Sequence, residues 1–231
     1  MKELLEQYGI GCTAEALEKL TAFKQLLIEK NKVMDLTNVP EAEMDERHFL
    51  DSLLPFTVCE LEPFSTLVDV GTGAGFPGLP AAILMPQVEC TLIDAQQKRC
   101  LFLEEVAEKL ALKNVRIRHL RAEDAGRDAA LREQFDIACA RAVAPMNVLE
   151  EYLLPMVKIG GSALCWKGPG IAEEMGNAKK AAFLLGGRIT EPARMPIESA
   201  EHYIVRVVKT GKTPSIYPRK SGTPAKKPLG T

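Results

Sequence analysis

With 231 residues, 46% of them hydrophobic and 26% charged, the chain is long enough for one sizeable α/β domain with a smaller appendage. Its formal net charge of −2 excludes a global attraction for a polyanion, so any such attraction must be local. The opening MKELLEQYGI has no apolar signal core, and no stretch approaches the roughly 20 apolar residues of a membrane span, which makes a cytoplasmic protein the expectation.

Residues 13–31, TAEALEKLTAFKQLLIEKN, carry Ala16, Leu17, Leu20, Phe23, Leu26 and Leu27 at three- and four-residue steps. This spacing predicts an amphipathic helix with Thr13 as its N-cap. A polar break, KVMDLTNVP, leads to EMDERHFLDSLLPF, where Met44, Phe49, Leu50, Leu53 and Leu54 form a second buried stripe. Residues 1–62 therefore read as a helical cap.

From Thr66 the periodicity changes. TLVDV, ECTLIDA, VRIRHL, FDIACA and GSALCW are short strand-like runs separated by helical segments such as KRCLFLEEVAEKLAL, a pattern of parallel βαβ units. After AEEMGNAKKAAFLLG, the runs GRITEPARMPI and EHYIVRVVKT have no helix between them and predict a terminal antiparallel pair. The expected fold is a Rossmann-like, doubly wound sheet of seven mostly parallel strands over residues 63–210. Residues 211–231 form a basic tail without acidic residues. Six scattered cysteines, Cys12, Cys59, Cys90, Cys100, Cys139 and Cys165, show no CxxC spacing and read as buried, reduced thiols rather than a metal site.

Gly73, Gly75 and Gly78 follow the first strand in a GxGxxG pattern, which admits a dinucleotide reading with a pyrophosphate at the helix N-terminus. Asp69, two residues before Gly71, would repel that pyrophosphate and suits a cationic ligand, and S-adenosylmethionine carries an ammonium and a sulfonium but no phosphate. Asp94, closing LID at the end of the second strand, is either an acceptor for ribose hydroxyls or a cap for the next helix. No Tyr-xxx-Lys relay and no GxSxG nucleophile elbow occurs.

At LVDVGTGAGFPGLP the chain resembles class I methyltransferases, and the Phe-Pro-Gly narrows the resemblance to the small-subunit rRNA methyltransferase G (glucose-inhibited division protein B) family. RHFLDSLL, HLRAEDAG, ARAVAPMNVLEEYLLPMVKIGG, WKG and RKSGTPAKKPLG extend it over nearly the whole chain. The resemblance implies methyl transfer from S-adenosylmethionine, without a metal, to N7 of a guanine in 16S rRNA or a small-subunit precursor, by a monomer. It implies that Gly71, Gly73 and Gly75 hold the methionine and ribose, that Phe76 lies against the ligand, and that Asp94 takes the ribose. Ala122 and Glu123 would flank the adenine, and Arg141 would close the pocket as the catalytic residue near the methyl. One departure is Asp35, where the family usually has Asn; here it reads as capping a turn.

Guanine N7 has a free lone pair and needs no general base, and the chain has ARAVAP where exocyclic-amine methyltransferases place an (Asn/Asp)-Pro-Pro-aromatic motif. Candidate phosphate contacts are Arg47, Lys167, Arg219, Lys220, Lys226 and Lys227. Lys30 and Lys32 read equally as RNA contacts or solvated charges, and His48 as helix-face packing. The rival readings are a methyltransferase of a small molecule or protein, a nicotinamide dehydrogenase, and a non-enzymatic RNA-binding protein.

Overall fold

The structure, a computed structural model, describes residues 1–59, 61–197 and 201–231. The cap begins with α1 (Lys2–Gln7) and α2 (Ala14–Met34), and the Thr13 side chain accepts the Ala16 N–H at 3.1 Å, as the spacing predicts. Asp35 ends α2 in a left-handed conformation at φ 49°. A 3-10 turn at Glu41–Glu43 and a π-helical stretch at Asp45–Leu50 lead into α3 (Asp51–Leu53) and α4 (Pro55–Val58). The wider π turn departs from the regular helix expected for this segment. Its apolar stripe holds nonetheless: Met44, Phe49, Leu50, Leu53 and Leu54 are all buried, packed with Leu20, Phe23 and Leu27 of α2.

The core follows as β1 (Thr66–Val70), α5 (Gly78–Leu84), β2 (Glu89–Asp94), α6 (Gln97–Lys109), β3 (Val115–His119), α7 (Ala122–Ala125), β4 (Phe135–Arg141), α8 (Met146–Leu153), β5 (Val157–Lys167), α9 (Ile171–Leu184), β6 (Gly187–Ile189), β7 (Ala193–Arg194) and β8 (Tyr203–Lys209). A short α10 (Thr223–Lys226) lies in the tail. The strand order is β3-β2-β1-β4-β5-β8-β6, with β7 also on β8. β1 to β5 pair in parallel and β8 runs antiparallel to β5, β6 and β7. The sheet has eight strands among the described residues, one more than expected, because GRITEPARMPI breaks into β6 and β7 around a proline that cannot donate to the ladder.

Parallel strands put the carboxyl ends of β1, β2 and β4 on one rim, where βα turns build sites. β1 and β4 are buried along nearly their whole length, so the rim residues are positioned by rigid backbone. Cys90, Cys100, Cys139 and Cys165 are buried and all six cysteines are free; Cys12 and Cys59 are half-buried, contrary to expectation. Among the described residues no helix is long and apolar enough to cross a membrane.

Candidate active site

The turn after β1 is fastened by its own acid. Asp69 is wholly buried, and its Oδ2 accepts the Thr72 hydroxyl at 2.7 Å and the Gly78 N–H at 2.8 Å, tying both ends of the glycine turn together. The first amide of α5, where a dinucleotide's pyrophosphate would sit, is therefore already taken by a carboxylate. Burial pushes the Asp69 carboxyl up to about 6, and its Oδ1 has no hydrogen-bond partner among the described residues. Asp69 thus lies beneath the turn and not on the cleft wall expected of it, because its shape-matched partners are the turn's own donors.

Gly71 is on the wall. It adopts φ +70°, and a Cβ there would stand 2.8 Å from Val143 Cγ2, so only glycine lets β1's turn approach the loop after β4. Asp94 joins it: Oδ2 accepts the Gly73 N–H at 2.9 Å and Oδ1 the Gln96 N–H at 2.8 Å. Asp94 thereby links the glycine turn to the start of the segment leading into α6, while its buried carboxylate still edges the cleft. Each carboxylate oxygen keeps a second lone pair for a hydroxyl donor.

This cleft has a volume of about 360 Å³. Gly71, Asp94, Ala122 and Glu123, expected from the sequence, line it, together with Leu120, Val148 and Tyr152, which were not. The apolar face that α8 presents to the rim was the available signal for Val148 and Tyr152. Gly73 and Gly75 shape the turn from behind, at φ +61° and +103°.

Phe76 and Arg141 lie elsewhere. The Phe76 ring is buried among Phe23, Phe49 and His48, because an apolar ring at the cap's edge gains most from the aromatic core already there. Arg141, at the end of β4, donates to Asp51 Oδ2 at 2.8 Å, to the Arg47 carbonyl at 3.1 Å and to His48 Nδ1 at 3.0 Å. Asp51 is buried and accepts His202 Nδ1 on its other oxygen at 2.9 Å. Arg47, His48, Asp51, Arg141, Trp166 and His202 surround a second cavity of about 210 Å³. Residues 142 to 144 separate it from the first, with Ala142 on one wall and Val143 and Ala144 on the other.

The charges in this second cavity are settled by their neighbours. Burial, then the Arg141 guanidinium, pushes His48 down to about 3, so its ring is neutral; Nδ1 accepts from Arg141 and Nε2 donates to Thr37 Oγ1 at 2.7 Å. His202 moves the other way, raised by its hydrogen bond to Asp51. No sequence signal linked Asp51 to His202.

A model of the family described as rRNA small subunit methyltransferase G matches residues 16–199. The chain belongs to that family. Proteins named ribosomal RNA small subunit methyltransferase G from Alkaliphilus metalliredigens and Clostridium perfringens are 42% and 44% identical over 99% of this chain and 97% of their own. One from Leuconostoc citreum is 44% identical over 97% of this chain and 96% of its own. Among solved structures, a 16S rRNA (adenine(1408)-N(1))-methyltransferase from Catenulisporales acidiphilia superposes with TM-score 0.54 at 18% identity, covering 65% of this chain and 87% of its own. A SAM-dependent O-methyltransferase from Thermotoga maritima gives 0.52 at 15% identity over 81% and 72%. These likenesses establish the class I methyltransferase fold.

The residues of the first cleft fit S-adenosylmethionine. It offers an acid for ribose at Asp94, apolar walls for a base and a close-approach glycine at Gly71. The basic residues divide. Lys167 is nearly buried, paired with Glu174 at 2.8 Å and donating to the Ala144 carbonyl, and Arg219 forms a two-pronged pair with the fully buried Glu151. Both were expected to face phosphate; instead each is neutralised by a carboxylate and braces a loop. Lys30 pairs with Glu105 and Arg47 with Glu43 on the surface, while Lys220, Lys226 and Lys227 are exposed.

Proposed function

We propose that this chain transfers a methyl group from S-adenosylmethionine to N7 of a guanine in 16S rRNA, acting in the cytoplasm on the rRNA or a small-subunit precursor. The observation that carries the reading is the adjacency of two unlike cavities at one sheet rim. One is apolar with acids at its edge, the other lined by Arg47, Arg141 and His202, and three residues of backbone separate them.

When bound, the donor supplies a methyl group made electrophilic by its sulfonium. Asp94 would accept the ribose hydroxyls, Ala122 and Glu123 would flank the adenine, and Gly71 would let the donor's chain run against the backbone. The target guanine would enter the second cavity. There Asp51 spends both oxygens on Arg141 and His202, and His48 spends both nitrogens on Arg141 and Thr37, so neither is free to act as a base. N7 attack needs none. Arg141 and Arg47 line that cavity, each paired with a carboxylate, and their remaining N–H donors would serve the O6 edge, with Arg141 as a positioning residue. Alignment of this kind can lower a barrier by roughly 7 to 11 kcal/mol. N7 faces the deep groove of A-form RNA, so the guanine should be unpaired or extruded, with Lys220, Lys226 and Lys227 holding flanking phosphates.

Tritiated methyl incorporation into 30S particles, followed by mapping of N7-methylguanine through reductive strand cleavage, tests the reading. Label confined to one guanine supports it, and label in a small molecule or protein, or none, overturns it.

A further inference from the structure

The segment read from sequence as a basic RNA arm is stitched across the core. Arg132 donates to the Tyr217 carbonyl at 2.8 Å and to the Thr213 carbonyl at 2.8 Å, and Arg127 to the Pro218 carbonyl at 2.7 Å. Glu151 accepts the Arg219 amide as well as its guanidinium, and Asn147 donates to the Leu229 carbonyl at 2.6 Å. A proline- and glycine-rich segment outside the sheet has few backbone partners of its own, and here arginine and asparagine side chains supply them.

Between the Arg219 and Leu229 anchors the chain crosses the first cleft. The Gly222 amide donates to Glu123 Oε1 at 2.7 Å, Pro224 is buried, and the exposed Ala225 and the half-buried Pro228 are among the residues that line the cleft with Asp94. Lys226 and Lys227 remain exposed. The segment thus has an apolar inner side on the cleft and a cationic outer side in solvent. Leu120, Ala122, Val148 and Tyr152 supply further apolar lining of the same cleft.

We propose that residues 222–228 are part of the cofactor site: Ala225 and Pro228 close the cleft over the adenine, and Glu123 holds them there through the Gly222 amide. This rests on the reading that the cleft binds S-adenosylmethionine. Glu123 then acts twice, beside the base and as the latch for its lid. A ligand that packs on the segment raises the free energy of its local opening, so donor binding and segment order reinforce one another.

Limited trypsin digestion of the full chain, read by mass spectrometry, follows cleavage after Lys220 and Lys226 with and without saturating S-adenosylhomocysteine. The expected result is cleavage slowed at least about fivefold by S-adenosylhomocysteine and unchanged by NAD. In parallel, Ala225→Phe, which places a ring on the inner side, should weaken S-adenosylhomocysteine about tenfold by calorimetry without changing the ligand-free melting temperature. If the parent binds S-adenosylhomocysteine but its tail is cut at the same rate, or Ala225→Phe binds as well as the parent, the inference is wrong while the cofactor reading stands. If the parent does not bind S-adenosylhomocysteine at all, both fall.

Discussion

The imidazole of His48 lies flat on the ring of Phe76, with 4.4 Å between centroids and 13° between planes, so that this stack helps join the helical cap to the glycine turn. The stack needs a neutral imidazole, since Arg141 already points at Nδ1 and sits 5.2 Å from the Phe76 centroid. His48 has a folded pKa of about 3 against an unfolded value near 6.5. Between those values the unfolded chain binds a proton that the native chain refuses, so stability falls as pH drops from about 6.5 toward 3. The slope is at most about 1.4 kcal/mol per pH unit. Urea titrations of the parent and His48→Phe at several pH values should show the parent losing relative stability through this window. A constant difference would mean that His48 is protonated in place.

The Arg219–Glu151 pair is expected to matter for folding more than for RNA. Glu151 is fully buried, and removing one partner leaves its charge or its desolvated site uncompensated. Arg219→Ala should destabilise the protein by about 3 kcal/mol, whereas Arg219→Met with Glu151→Leu should recover much of that loss. Chemical denaturation of the single and double variants measures both.

RNA affinity, by contrast, should answer to the outer lysines. Lys226→Ala with Lys227→Ala should weaken binding of a 16S rRNA fragment at low salt. It should also make the plot of log affinity against log salt shallower by about 0.7 for every phosphate that is no longer neutralised. An unchanged slope in filter-binding assays would move the RNA footprint off the tail.

The parts of this molecule that were legible in its sequence are those set by local rules. Thr13 caps α2 because a hydroxyl before an apolar stripe has one nearby amide to serve, and Asp94 lies on the rim because a strand ending in a parallel sheet leaves its last residue there. The strand-by-strand alternation sufficed for the parallel core, and only the proline-split edge was undercounted. Pairings between distant segments were not legible. Asp51 meets His202 across 151 positions, and Arg219 meets Glu151 across 68, so whether a cation faces phosphate or a buried carboxylate depends on packing that no local spacing encodes. Phe76 was misplaced for the same reason, its neighbours Phe23 and Phe49 coming from the cap.

Asp51 should be the most sensitive residue of the second cavity. It orients Arg141 and raises the pKa of His202, and a group with a raised folded pKa contributes stability that is complete below about 6.5 and lost as pH rises through the folded value. Asp51→Asn should lower the His202 pKa, visible by NMR titration of the imidazole. It should also reduce kcat/KM for rRNA methylation on the order of a hundredfold while leaving S-adenosylhomocysteine affinity within about twofold. Loss of cofactor affinity instead would show that the two cavities are not separable.

Glu150 opposes His48 in its pH dependence. It is fully buried on α8, and burial pushes its carboxyl up to about 9, so the native chain keeps a proton that the unfolded chain releases above about 4.3. Stability contributed by this group is complete at acid pH and declines as pH rises from about 4.3 toward 9, again by at most about 1.4 kcal/mol per unit. Glu150→Leu, similar in volume and free of the proton requirement, should melt higher than the parent, with the gap widening from pH 5 to pH 8. Thermal unfolding across that range checks it, and a gap that closes with rising pH would show that the carboxylate is ionised and stabilised where it lies.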